Sequence, residues 1–300
     1  MRTVPLFLLF LGLCIALAAC SPSVSDQPFP QNHDWPVYLG DKASSQYAPL
    51  TQINKDNVQQ LEVAWTYHAG DIWDERFAQI QTNPLIIDGI LYGASPAVSI
   101  FALDAQTGAE IWRFNPSPND TTTGQPTMAQ FLGVSRGMAY WADREDQRIL
   151  FVKGSDLFAL NARTGQPIVS FGQEGRVDLR DGLGRDVSNY FVAATTPGVI
   201  YEDLLIQGMR VSEGADAAPG HIRAYNVRTG EIAWTFHTIP HPGEHGYETW
   251  PPDAWQRIGG ANNWAGMSVD EERGIVYVPT GSASFDFWGG NRKGENLFAN

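Results

Sequence analysis

The chain has 300 residues, 43% of them hydrophobic, with 33 acidic and 20 basic side chains and a formal net charge of −13. So much apolar material supports a packed core and excludes a wholly disordered chain. The basic residues are scattered and form no run, which excludes a phosphate-tracking surface and with it a nucleic-acid partner.

The N-terminus carries Arg2, the apolar stretch Val4 to Leu17, and then Leu17-Ala18-Ala19-Cys20-Ser21. An apolar segment this short, followed by small residues, reads as a secretory signal over residues 1–19 and not as a membrane span. Leu-Ala-Ala-Cys resembles a bacterial lipobox, so Cys20 is expected to be the acylated first residue of a lipid-anchored protein. Ser21, where aspartate is absent, points toward the outer membrane. The alternative is an ordinary signal peptide with a chance cysteine. The other cysteine, Cys14, lies inside the segment to be removed. No intrachain disulfide then remains, and stability must come from burial and sheet pairing. Residues 20–34 read as a tether, with folded sequence from Trp35 onward.

A phrase Ala-x-Asp/Asn-x-x-Thr-Gly occurs three times, at Ala102 to Gly108, Ala159 to Gly165 and Ala224 to Gly230. Two copies close four residues later on Trp112 and Trp234, and the third copy has Val169 in that place. Recurrence of this kind marks one supersecondary unit stacked repeatedly. In the first unit the predicted strands are Leu85–Ile87, Ile90–Ala94 beyond an Asp88-Gly89 hairpin turn, Ser99–Leu103 and Glu110–Phe114. The second runs through Gly137–Trp141, Arg148–Val152, Asp156–Leu160 and Pro167–Phe171. The third runs through Val199–Tyr201, Leu204–Gln207, His221–Tyr225 and Glu231–Phe236. Four short antiparallel strands per repeat is the plan of a propeller blade. Thr107, Thr164 and Thr229 stand 57 and 65 residues apart, more than the roughly 40 to 45 of a minimal blade, and the excess falls in loops.

Each phrase has a local rationale. The Asp or Asn binds its own turn backbone, and the Gly allows a positive φ. The tryptophan is expected to dock on the neighbouring blade's turn and satisfy its indole N–H there. The segment Leu61–His68, with Trp65, resembles the last strand of a blade. A further unit starts with Trp264–Val269 and Ile275–Thr280 and lacks its later strands before Asn300, so the chain is expected to be the N-terminal part of a longer protein.

Between the repeats, Trp35-Pro36-Val37-Tyr38-Leu39-Gly40-Asp41, Tyr47 to Asn54, Gly133 to Trp141, Phe236 to Glu244 and Asn262-Asn263-Trp264-Ala265-Gly266 resemble the pyrroloquinoline-quinone (PQQ)-dependent dehydrogenases, nearest the glucose-dehydrogenase-like branch. The resemblance implies an all-β, eight-bladed propeller of which about half the blades lie in this chain. It also implies a PQQ cofactor on the central axis, Ca2+ or another divalent ion beside it, and hydride transfer from a sugar or alcohol to the metal-polarised quinone. A respiratory-chain electron acceptor follows from the same resemblance.

Carried over position by position, Arg136 matches the arginine facing a quinone carboxylate, a task suited to a planar, permanently charged fork. Trp264 matches the tryptophan on which the quinone stacks. Glu213 falls where the family places an acidic metal ligand, since a hard cation takes oxygen donors. The family's asparagine ligand aligns with Ser282, a departure. Gln81 stands where many relatives have glutamate near the quinone, and Thr195 is expected to offer its hydroxyl to the cofactor. Gln130 and Phe131 replace the vicinal cysteines of alcohol-oxidising relatives, and Leu132 replaces a histidine of the membrane-bound glucose enzyme. No catalytic residue is identified, the expected aspartate base falling beyond Asn300.

His237, His241 and His245 recur every four residues, which on a helix would make a zinc-like face. Pro240, Pro242 and Gly243 forbid that helix, so the segment reads as a loop at the cofactor mouth or a blade junction. The function expected is thus a periplasmic, lipid-anchored quinoprotein dehydrogenase. The alternative from another class is a non-enzymatic propeller lipoprotein of the outer-membrane assembly type.

Overall fold

Among the described residues, sixteen short strands carry nearly all the regular structure. The computed structural model describes residues 34–71, 79–117 and 134–299. The lipobox cysteine Cys20, the residues before Asp34, and Gln130, Phe131 and Leu132 lie outside the described residues. Among those described, no helix is long and apolar enough to cross a membrane.

The first sheet is an antiparallel meander of β1 (Leu85–Ile87), β2 (Ile90–Ala94), β3 (Ile100–Asp104) and β4 (Glu110–Phe114). A second meander follows from β5 (Ala139–Asp143), β6 (Asp146–Lys153), β7 (Asp156–Asn161) and β8 (Arg176–Asp178). After β9 (Val192–Ala193) come β10 (Val199–Tyr201), β11 (Leu204–Gln207), β12 (Arg210–Val211), β13 (Ile222–Asn226) and β14 (Ile232–Phe236). The third meander has the order β10-β11-β13-β14, and β12 leaves it to pair with β9. Last, β15 (Ser268–Asp270) pairs with β16 (Ile275–Tyr277).

Successive sheets stack face to face because their inner strands are apolar on both sides. On β6 and β7, Ile149, Phe151, Phe158 and Leu160 enter a core shared with Leu85, Tyr92, Ala102 and Trp112 of the first sheet. Their alternates Leu150, Val152, Leu157 and Ala159 enter a second core with Leu205, Tyr225 and Val227 of the third. A period of two thus splits one strand between two interfaces, the requirement for a central blade in a stack. Phe151 and Phe158 stack at 5.1 Å between ring centroids, with Phe114 edge-on to both at 6.3 and 6.2 Å.

The three phrases form the same turn. Asp104 Oδ1 accepts the backbone N–H of Gln106 and of Thr107 at 3.1 and 2.7 Å, and Asn161 and Asn226 repeat the pattern. Gly108, Gly165 and Gly230 each close it by donating to the Asp or Asn carbonyl at 2.8 Å, with φ of 72°, 69° and 78°. Docking follows the expected scheme. The Trp112 indole donates to the Ala162 carbonyl at 2.9 Å and covers Gly165, and Trp65 donates to Ala105 at 3.2 Å and covers Gly108.

Two expectations need correction. Residues 61–68 do not form a strand, yet Trp65 still fills the docking position. In the second unit the last strand is β8 and not Pro167–Phe171. Pro167 has no N–H to extend a ladder and makes only an isolated bridge to Leu160. The chain then turns through Gly172 and Gly175, at φ 57° and 87°, before pairing. Val169 is consequently 74% exposed. Val177 covers Gly230 in its stead, its Cγ2 lying 2.7 Å from where a Gly230 Cβ would stand. The valine side chain has no N–H to offer. Arg148 of β6 supplies the donor, its Nη1 bonding the Val227 and Arg228 carbonyls at 2.9 Å each.

Candidate functional site

Strand ends and connections from all three later units meet at a cavity of about 310 Å3, near the lower end of small-molecule sites. Its walls include Arg136, Arg210, Glu213, Trp264, Ser282 and Asp286. Arg136 lies in the connection just before β5, with its N–H donating to the Thr195 carbonyl and its own carbonyl accepting from Asn83. These backbone bonds tie it to the segment after β9 and to the residues just before β1. Its side chain is held as well: Nη1 donates to Thr195 Oγ1 at 2.7 Å and to Thr196 Oγ1 at 3.3 Å. Thr196 in turn donates to the Trp264 carbonyl at 2.6 Å. The guanidinium carbon stands 5.6 Å from the Trp264 ring centroid. Trp264 is 51% exposed, so an indole face remains available to a flat ligand.

Glu213 enters two residues after β12, because the short β9–β12 pair ends at Val211. Asp286 reaches the same cavity from the connection after β16. Burial first, and then the Glu213 charge, push the Asp286 carboxyl above its ordinary value, with Arg292 opposing. The Glu213 and Asp286 carboxylates, with Ser282 and Asn262, form an oxygen-rich donor set in the cavity wall. Arg136 and Arg210 line the same cavity and bring positive charge to it. The lining suits an anionic planar molecule lying on Trp264 together with a hard cation.

The structure therefore brings Arg136, Trp264, Glu213 and Ser282 to one cavity. Thr195 stands beside it: it is buried, and its hydroxyl accepts from Arg136 Nη1. Gln81 is exposed, bonds the Gln79 side chain at 2.6 Å and does not line the cavity. Sequence reasoning missed Arg210 and Asp286. Arg210 stands three residues before Glu213 on a two-residue strand, and Asp286 four residues past the departing Ser282, so both were signalled only by nearness to assigned positions.

Residues 35–300 match the PQQ family model described as glucose/ethanol/alcohol dehydrogenase, beta-propeller domain, and the chain belongs to that family. It is 32% identical to the quinate/shikimate dehydrogenase (quinone) of Acinetobacter baylyi, covering 90% of this chain and 35% of that protein. To quinoprotein glucose dehydrogenase A of Acinetobacter calcoaceticus it is 31% identical, covering 86% of this chain and 34% of the relative. Among solved structures, the quinohemoprotein alcohol dehydrogenase of Comamonas testosteroni superposes with a TM-score of 0.70 at 26% identity, covering 90% of this chain and 39% of that one. The chain thus spans about a third of the length of the curated relatives it matches. The propeller expected from the turn phrases is the family's fold, and nothing in these likenesses favours the assembly-scaffold alternative.

Proposed function

We propose that the chain forms the quinone-holding part of a PQQ-dependent dehydrogenase that oxidises a hydroxyl of a sugar or alcohol. The observation that carries this reading is the joint placement of Arg136, Trp264 and the Glu213–Asp286 pair around one cavity. Trp264 would support the quinone ring. Arg136, oriented by two threonine hydroxyls, would pair with a quinone carboxylate, and Arg210 would add a second positive charge. Glu213, Asp286 and Ser282 would hold Ca2+ or another divalent ion. When bound, the quinone would supply a hydride acceptor and the ion a Lewis acid, chemistry that these side chains would hold in place. The proton leaving the substrate hydroxyl needs a separate base, a task that this reading assigns to neither Glu213 nor Asp286.

The named activities of the relatives, on quinate or shikimate and on glucose, support a polyhydroxylated or alcoholic substrate. The lipobox reading of Cys20 supports export and lipid anchoring at the periplasmic face, with electrons passed to a respiratory-chain acceptor.

Full-length protein reconstituted with PQQ and Ca2+ and tested for dye reduction on a panel of sugars and alcohols is expected to turn over at least one of them. Absence of both quinone uptake and turnover would overturn the reading. Fatty-acid labelling that is lost in Cys20→Ser checks the anchor.

A further inference from the structure

We infer that His221, His237 and His241 form a second metal site, for a divalent transition ion of the zinc type, separate from the cavity of Arg136 and Trp264. One nitrogen from each of the three rings lies within 4.8 Å of the others. The trio is not the one spaced every four residues in the sequence. His245 is absent from it, and His221 comes from the residue before β13, on the far side of a hairpin. His237 directly follows β14, and Pro240 turns the chain so that His241 lies against it, the two rings 3.7 Å apart and nearly parallel. The His221 ring meets His237 at 4.6 Å and 65°.

Two observations point to an ion in place of a merely packed cluster. First, His221 is only 3% exposed, and its buried Nδ1 has no hydrogen-bond partner. A buried polar nitrogen without a partner is rare in folded proteins and asks for a missing ligand. Second, Glu244 already occupies the outer position that metal-binding imidazoles commonly have. Its Oε1 is 2.7 Å from His237 Nδ1, and its Oε2 accepts the backbone N–H of His241 at 2.7 Å. A carboxylate can only accept there, so Nδ1 carries the proton and Nε2 presents its lone pair.

The donor set also selects the ion. Three imidazoles and no oxygen ligand suit zinc and its neighbours and not calcium or magnesium. A tetrahedral ion with nitrogens at about 2.0–2.1 Å spaces them about 3.4 Å apart. Binding therefore requires a small closure, and the parallel His237 and His241 rings must splay so that both lone pairs point in plane at the ion. His241 is the ring free to do so, being half-buried and tilted on Trp255 at 4.5 Å. The fourth position would fall to solvent. An ion here would clamp the entry of β13 to the connection that leaves β14, stiffening the third sheet's exit.

The test uses metal-stripped full-length protein dialysed against Zn2+, with bound metal counted by mass spectrometry, and against Co2+, whose visible absorption reports tetrahedral nitrogen ligation. One equivalent is expected that persists in Glu213→Gln, weakens at least 100-fold in His241→Gln and about 10-fold in Glu244→Gln. Zn2+ should raise the melting temperature of the wild type and leave that of His241→Gln unmoved. His241 is partly exposed, so its variant is expected to fold, which circular dichroism without metal checks. Failure of the wild type to take up micromolar Zn2+, or uptake unchanged in His241→Gln, overturns the inference.

Discussion

Arg148 does the work of an absent tryptophan. Its Nη1 feeds the Val227 and Arg228 carbonyls, while Nε and Nη2 pair with Asp146 at 2.8 Å each. Arg148→Met should leave buried carbonyls without a donor and cost about 1–3 kcal/mol, read as a lower urea midpoint. The same contact sets a pH dependence. Hydrogen bonding from Arg148 holds the Asp146 carboxyl below its ordinary value of 3.8. A lowered folded value means a stabilising contribution that is present above that ordinary value and lost as pH falls through the folded one. Asp146→Asn is therefore expected to be less stable than wild type near pH 6 and to converge with it in acid, as denaturation midpoints across that range will show. At the cavity, Arg136→Lys keeps the charge but loses the fork, and should weaken PQQ binding about 10-fold or more by equilibrium titration.

At the level of the element, the turn and the ring that covers it form one unit. Gly165 has φ 69°, and a Cβ there would fall 2.5 Å from the Trp112 ring. The ring cannot retreat without giving up its bond to Ala162. Gly165→Ala should then suffer left-handed backbone strain of about 1–2 kcal/mol together with overpacking of about 1–3 kcal/mol. Gly154 has a similar φ of 60° but open space around it, so Gly154→Ala should show the strain alone. Paired thermal or urea denaturation of the two variants separates the terms, and equal losses would deny the docking role of Trp112. Val177 is the case where element and phrase part company: the covering residue arrives on β8 after a detour that the phrase itself does not encode.

Across the whole molecule, the cavity is assembled from positions 136, 210–213, 262–264 and 281–286, which no single sheet contains. A ligand binding there holds several sheets in register, so it should stabilise the folded state as a whole. At a PQQ concentration about 100-fold above Kd the gain is about 2.7 kcal/mol, visible as a rise in melting temperature that grows with quinone concentration and shrinks in Trp264→Ala. An unmoved melting temperature would count against the cavity as the quinone site. The strand order of the first and third meanders, the first three strands of the second, the turns, and the candidacy of Arg136, Glu213 and Trp264 were legible in the sequence by itself. Turn chemistry is local, a carboxamide or carboxylate capping its own backbone beside a glycine, and alternation writes burial directly into a strand. Only the tertiary structure decided that Val177 and Arg148 replace a tryptophan, that Asp286 and Arg210 complete the cavity, that Thr195 serves Arg136, and that His221 joins His237 and His241. Those are contacts between residues far apart in the chain, set by the paths of connections whose length is visible in sequence but whose direction is settled only by what they pack against.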